Sequence, residues 1–174
     1  MLPVDPETER FRRCLAVTLR LEGGFVADPT DPGGPTNLGL AGRHHPDLDL
    51  AGLTREKTEA IYRERYWTPL HCGRLPDPAA LIVFDSAVQH GWDDAAQWLQ
   101  EAVNAELGPK SLAVDKVIGS QTLALAAKCA PGRLAGRILA RRLDYLMDQA
   151  RRQPRKTDGF LNRVAALLQE AARW

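Results

Sequence analysis

Residues 19–39 read LRLEGGFVADPTDPGGPTNLG. An amphipathic helix runs into Glu22, stops at two glycines and gives way to a loop rich in proline and glycine that contains two Asp-Pro pairs. A carboxylate is least welcome at a helix C-terminus, where the helix dipole is negative. At 100° per residue, Glu22 lies within about 20° of Phe11 and Leu15 around the helix axis. It therefore points where the core points. Loss of hydration on an apolar face and the negative end of the dipole both disfavour the charged form, which is the condition a general acid needs near neutral pH. A solvated, frayed helix end is the plainer reading of the same glutamate.

The loop argues for the first reading. It brings Asp28 and Asp31 within a few residues of Glu22, with glycines allowing close backbone approach and prolines limiting its freedom. A protonated carboxyl beside a second carboxylate is the arrangement used in glycoside hydrolysis, where one group protonates the leaving oxygen and the other holds a water or attacks directly. Both Asp-Pro pairs could instead be simple turns. No EF-hand spacing is present, so no metal is expected there.

Composition bounds the rest. The chain has 174 residues, 44% hydrophobic and 26% charged, which suits one folded domain or a domain with a small appended module. No apolar run is long enough for a membrane span. The opening MLPVDPETERFRR lacks a basic stretch followed by an apolar core, so no secretory signal peptide is expected. Cys14, Cys72 and Cys129 are widely spaced without a CxxC pair and read as buried small hydrophobes. Residues 1–107 hold 10 Lys and Arg against 17 Asp and Glu, whereas residues 108–174 hold 13 against 5. A basic C-terminal half raises a nucleic-acid reading with Arg133, Arg137, Arg141 and Arg142 as its footprint. Packing against acidic helix faces accounts for the same charge.

The periodicity is helical almost throughout. Asp5-Pro6 starts a first helix; Thr54 opens a second through Tyr62 and Tyr66. Asp77-Pro78 starts a third, with Leu81, Phe84, Ala87 and Val88 as its apolar stripe and Gly91 as its stop. A fourth is capped by Asp93 or Asp94 and ends at Gly108. Others follow near 121–129, 132–152 and 158–172, broken at Pro131-Gly132 and Pro154. The expectation is a mainly α protein with at most one small β-hairpin, around residues 25–42. Tyr62 and Trp67 could stack on sugar rings, although aromatics at this spacing are more often core. Asp85, Gln89 and Trp92 share a face that could line a cleft or be solvated. His44 and His45 read as surface residues; His71 and His90 have no assigned role.

These stretches carry a resemblance. LEGGFVADPTDPGGPTNLGL (21–40) is similar to the N-terminal signature of glycoside hydrolase family 108, bacterial and phage N-acetylmuramidases of the lysozyme-like superfamily. AIYRERYW (60–67) and VFDSAVQHG (83–91) continue it, with Gln89 where the family usually has asparagine. LQEAVN (99–104), VDKVIGSQTLAL (114–125) and DGFLNRV (158–164) resemble the peptidoglycan-binding module that accompanies the muramidase. Here Lys116 stands in place of a usual glycine, Ala41 of a threonine and Phe160 of a tryptophan.

The resemblance implies a lysozyme-like helical fold, with a muramidase region over 1–94 and a peptidoglycan-binding-like region over 95–174. It places the catalytic glutamate on Glu22. A weaker likeness to phage lysozymes aligns Glu22, Asp31 and Gly39 with their acid, aspartate and glycine, which makes Asp31 the second carboxylate and Asp28 the runner-up. Thr36 or Asn37 would position the water or the substrate amide, and Tyr62, Trp67, Asp85 and Gln89 would contact substrate. The implied activity is cleavage of the β-1,4 bond between N-acetylmuramic acid and N-acetylglucosamine. No cofactor, metal, nucleic acid or stable membrane insertion is expected. The protein is expected to be a monomer, made in the cytoplasm and delivered to the periplasm or wall by a holin, phage or secretion system. The other reading is a catalytically weak wall-binding protein.

Overall fold

The computed structural model describes residues 5–22, 36–37, 40–41, 54–152 and 157–174. Its helices are α1 (Pro6–Glu22), α2 (Arg55–Tyr62), α3 (Ala79–His90), α4 (Trp92–Leu107), α5 (Ser120–Ala126), α6 (Pro131–Arg152) and α7 (Thr157–Ala171). A short π-helical turn, Arg63–Trp67, follows α2, and a 3-10 turn, Cys72–Arg74, precedes α3. Two short strands, β1 (Thr36–Asn37) and β2 (Leu40–Ala41), pair antiparallel, Thr36 opposite Ala41 and Asn37 opposite Leu40. The mainly α architecture with one small hairpin is the expected one.

The starts follow from capping. Asp5 Oδ1 accepts from the Glu7 and Thr8 amides at 3.0 and 3.2 Å, leaving Pro6 at the first helical position, where its missing N–H costs nothing. Thr54 Oγ1 accepts from the Lys57 amide at 3.3 Å. The start of α4 departs from expectation. Gly91 alone separates it from α3: with φ of 91° it donates to the Ala87 carbonyl and accepts from the Ala95 amide. Asp93 and Asp94 thus fall inside the first turn rather than capping it, where their charge complements the dipole.

The chain folds as two compact units, Met1–Arg65 and Tyr66–Trp174. In the first, α1 packs on α2. Arg12 Nε donates to Glu59 at 2.8 Å, Arg63 Nη2 to Thr8 Oγ1 at 3.1 Å, and the Arg63 guanidinium lies 4.5 Å from the Phe11 ring centroid. The second unit is built around α3, which packs against α4, α6 and α7. Every residue from Ala79 to Ala87 is buried. The expected stripe is therefore a fully enclosed segment, because three helices cover it. The cysteines Cys14, Cys72 and Cys129 are buried, as the sequence suggested.

The turn-rich segment after α4 is stapled by two amides. Asn104 donates to the Leu112 carbonyl and accepts from its amide, both at 2.8 Å. Buried Gln100 donates to Asp115 Oδ1 at 2.6 Å and to the Val117 carbonyl at 3.0 Å, and accepts from the Lys116 amide at 2.8 Å. This grip holds Lys116 at a φ of 66°, a left-handed conformation that glycine adopts without strain and lysine does not. Lys116→Gly should therefore raise stability by about 0.5–1 kcal/mol, the released strain being partly offset by the greater chain entropy of glycine when unfolded. Thermal unfolding checks this; a lower Tm would mean that the lysine side chain contributes more than its backbone costs.

Candidate functional site

Glu22 is the last residue of α1 and is half-buried. The face that leads to it is apolar in fact as well as in pattern: Phe11 and Thr18 are fully buried and Leu15 nearly so. Capping by Asp5 at one end and the Arg12 and Arg63 contacts to α2 and the α1 face fix the helix that presents the carboxyl. A recess of about 220 Å³ opens between α1 and α2, lined by Arg12, Leu15, Leu19, Arg55 and Glu59 among others. None of the candidate residues among those described lines it. Asp28 and Asp31 lie outside the described residues. Thr36 and Asn37 form β1, so the backbone places them on the hairpin that follows Glu22 in sequence.

The expected sugar contacts fare differently. Tyr62 is fully buried and Trp67 is 1% exposed; the Trp67 ring meets Phe84 edge-on with centroids 5.6 Å apart. Neither presents a ring face to solvent, so both are core residues rather than stacking platforms. Gln89, near the end of α3, is exposed, and Trp92 is 48% exposed.

Asp85 departs most from a cleft-lining role. Its side chain is completely buried. Oδ1 accepts from Arg142 Nη1 of α6 at 2.7 Å and from Arg163 Nε of α7 at 3.1 Å, while Oδ2 accepts from Arg163 Nη2 at 2.7 Å. Burial alone would push this carboxyl up, but the Arg142 and then the Arg163 guanidinium outweigh it and hold Asp85 below the usual carboxylate range. Both oxygens are committed, so Asp85 is a structural anion and not a substrate contact.

The sequence reading gave Arg142 only as part of a nucleic-acid footprint and assigned Arg163 no role, although a signal for a buried Arg142 existed. Arg142 falls in the row Leu134, Ile138, Arg142, Leu146, four residues apart, and all four are buried. A charge on an apolar row needs a counter-charge, the logic that singled out Glu22. The nucleic-acid footprint is corrected by the same observation. Arg142 is only 1% exposed, Arg133 and Arg137 both bind Glu106 at 2.7 and 2.9 Å, and Arg141 lies 3.5 Å from Glu101. The basic face of α6 is largely neutralised by α4.

Nearby, burial and then the Arg142 charge push His90 down to about 3, against the pull of Asp85. Among the described residues no group of three His, Cys, Asp or Glu is placed to hold a metal ion, and no helix is long and apolar enough to cross a membrane.

Residues 15–91 match the family model described as Glycosyl hydrolase 108. Among solved structures, the chain resembles that titled "Structure of Brucella abortus SagA", with 28% sequence identity, a TM-score of 0.78, and 95% of each chain covered. A search of curated proteins finds no match.

Replacing Asp85 with asparagine would leave the buried Arg142 and the partly buried Arg163 guanidinium facing a neutral group. The cost of breaking a buried ion pair by removing one partner is about 3–5 kcal/mol, so Asp85→Asn should lower the unfolding free energy measured in urea by that amount. An effect under about 1 kcal/mol would place the value of a solvated surface pair on this site instead.

Proposed function

We propose that this chain, whose residues 15–91 match the glycosyl hydrolase 108 family model, is a glycoside hydrolase and specifically an N-acetylmuramidase. It cleaves the β-1,4 bond between N-acetylmuramic acid and N-acetylglucosamine in peptidoglycan. The observation that carries the residue assignment is the position of Glu22, half-buried at the end of α1 on the continuation of the buried Phe11–Leu15–Thr18 face. A carboxyl in that setting is disfavoured as an anion and so suited to donate a proton.

In this reading Glu22 protonates the glycosidic oxygen as the bond to the anomeric carbon breaks. Asp31, with Asp28 as the alternative, supports the developing oxocarbenium charge and directs a water or attacks the anomeric carbon. Thr36 and Asn37 hold the water or the substrate amide. Residues 1–94 act as the catalytic region and 95–174 as a peptidoglycan-binding-like region. That functional division does not coincide with the compact units, because residue 94 falls inside α4, which packs with α3 in one of them. The protein works as a monomer on wall glycan after delivery from the cytoplasm.

Glu22→Gln keeps shape and hydrogen-bonding capacity but removes the transferable proton. Peptidoglycan hydrolysis should fall by at least about 100-fold, the size of effect expected when acid catalysis is lost, while thermal stability is unchanged or slightly raised. Near wild-type activity in this variant would remove the mechanism. Asp31→Asn should cost more activity than Asp28→Asn; the reverse order would move the second carboxylate to Asp28.

A further inference from the structure

The polar contacts between α1 and α2 form a ladder. Arg63, the residue after α2, donates to Thr8 at 3.1 Å, and Arg12 donates to Glu59 at 2.8 Å. Each step climbs four residues on α1 and descends four on α2, so the helices run antiparallel and each rung is about one helical turn from the last. The next rung pairs Ala16 with Arg55, and both line the recess of about 220 Å³ between the two helices. Ala16 offers no polar group to complete it.

Arg55 is exposed and opens α2, where the helix dipole disfavours a cation. Among the described residues it has no hydrogen-bond or ion-pair partner, although Glu56 beside it in sequence feels its charge. Arg12, by contrast, is already held by Glu59. The recess thus joins an apolar floor, which includes Leu15 and Leu19, to one guanidinium with no partner across the helices.

Its place along α1 gives it a role. Leu15 shares its side of the helix with Glu22, and the level of Ala16 lies six residues before Glu22, about 9 Å along the axis. An extended chain rises about 3.3 Å per residue, so roughly three units of peptide bridge that distance. On the muramidase reading, on which this inference rests, the N-acetylmuramic acid at Glu22 carries through its lactyl ether a short peptide that begins with alanine and then bears carboxylates. We propose that the α1–α2 recess is the subsite for this stem peptide: the leading alanine methyl lies on Leu15 and Leu19, and Arg55 binds the first carboxylate.

Kinetics on two soluble glycan samples test this: uncrosslinked strands with stem peptides intact, and the same strands after an amidase has removed the peptides and left the lactyl carboxylate. The wild type should show a KM about tenfold lower on the peptide-bearing strands, the combined effect of one exposed charge pair and one covered methyl, with little change in kcat. In Arg55→Glu that KM ratio should fall to about one or below; glutamate suits the first turn of a helix, so the fold is kept. Equal KM values for the two samples in the wild type overturn the subsite and leave the muramidase standing, and a ratio that survives Arg55→Glu unchanged overturns it too. Cleavage of neither sample contradicts the muramidase reading itself, and the subsite falls with it.

Discussion

The second compact unit depends on one anion. α3 is enclosed from Ala79 to Ala87, and Asp85 is the only acidic or basic residue of the four types Asp, Glu, Lys and Arg in that helix. Taking a carboxylate out of water costs several kcal/mol, and this one is tolerated because α6 and α7 each bring a guanidinium to it at 2.7 Å. The geometry fixes more than charge. Arg142 and Arg163 reach the same carboxylate only when α6 and α7 lie on α3 at one rotation and one height, so an interaction of modest net energy specifies how three helices pack. Apolar contacts alone would tolerate sliding; hydrogen bonds of fixed length do not.

Two carboxyl groups on apolar faces thus have different surroundings. Asp85 is enclosed between cations and remains an anion whose oxygens are committed to structure. Glu22 is the last residue of its helix, half-buried, and precedes in sequence Asp28, Asp31 and the β1–β2 hairpin. The first is a structural brace, and the second is the group for which a catalytic role is proposed. Sequence spacing marks Glu22 as a charge facing a core, whereas Asp85 is shown to be enclosed only by its surroundings.

Much of the fold was legible because helix ends are chemically local. Asp5-Pro6, Thr54 and Gly108 act within a few residues of themselves, and each marks the boundary the sequence suggests. What depends on a distant partner was not legible. The stripe on α3 gave no sign that three helices would cover it, so Asp85 read as a cleft residue. Tyr62 and Trp67 have the ring chemistry of sugar binding, and only their burial assigns them to the core. Lys116 carried a readable signal, since a lysine in place of a usual glycine points to a left-handed backbone, and Gln100 supplies the grip that holds it there. Of the candidate site, the position of Glu22 at a helix end on the apolar face was legible from periodicity alone, and Arg142 could have been found by the same test applied to α6.

The functional account joins a family match over residues 15–91 to a carboxyl that helix geometry places on its own. The bond cleaved leaves a signature that no other wall hydrolase shares. Insoluble peptidoglycan digested with the purified protein, reduced with borohydride and analysed by mass spectrometry should release fragments ending in reduced N-acetylmuramic acid. Fragments ending in reduced N-acetylglucosamine, or no soluble fragments at all, would contradict the assignment of this chain as a muramidase.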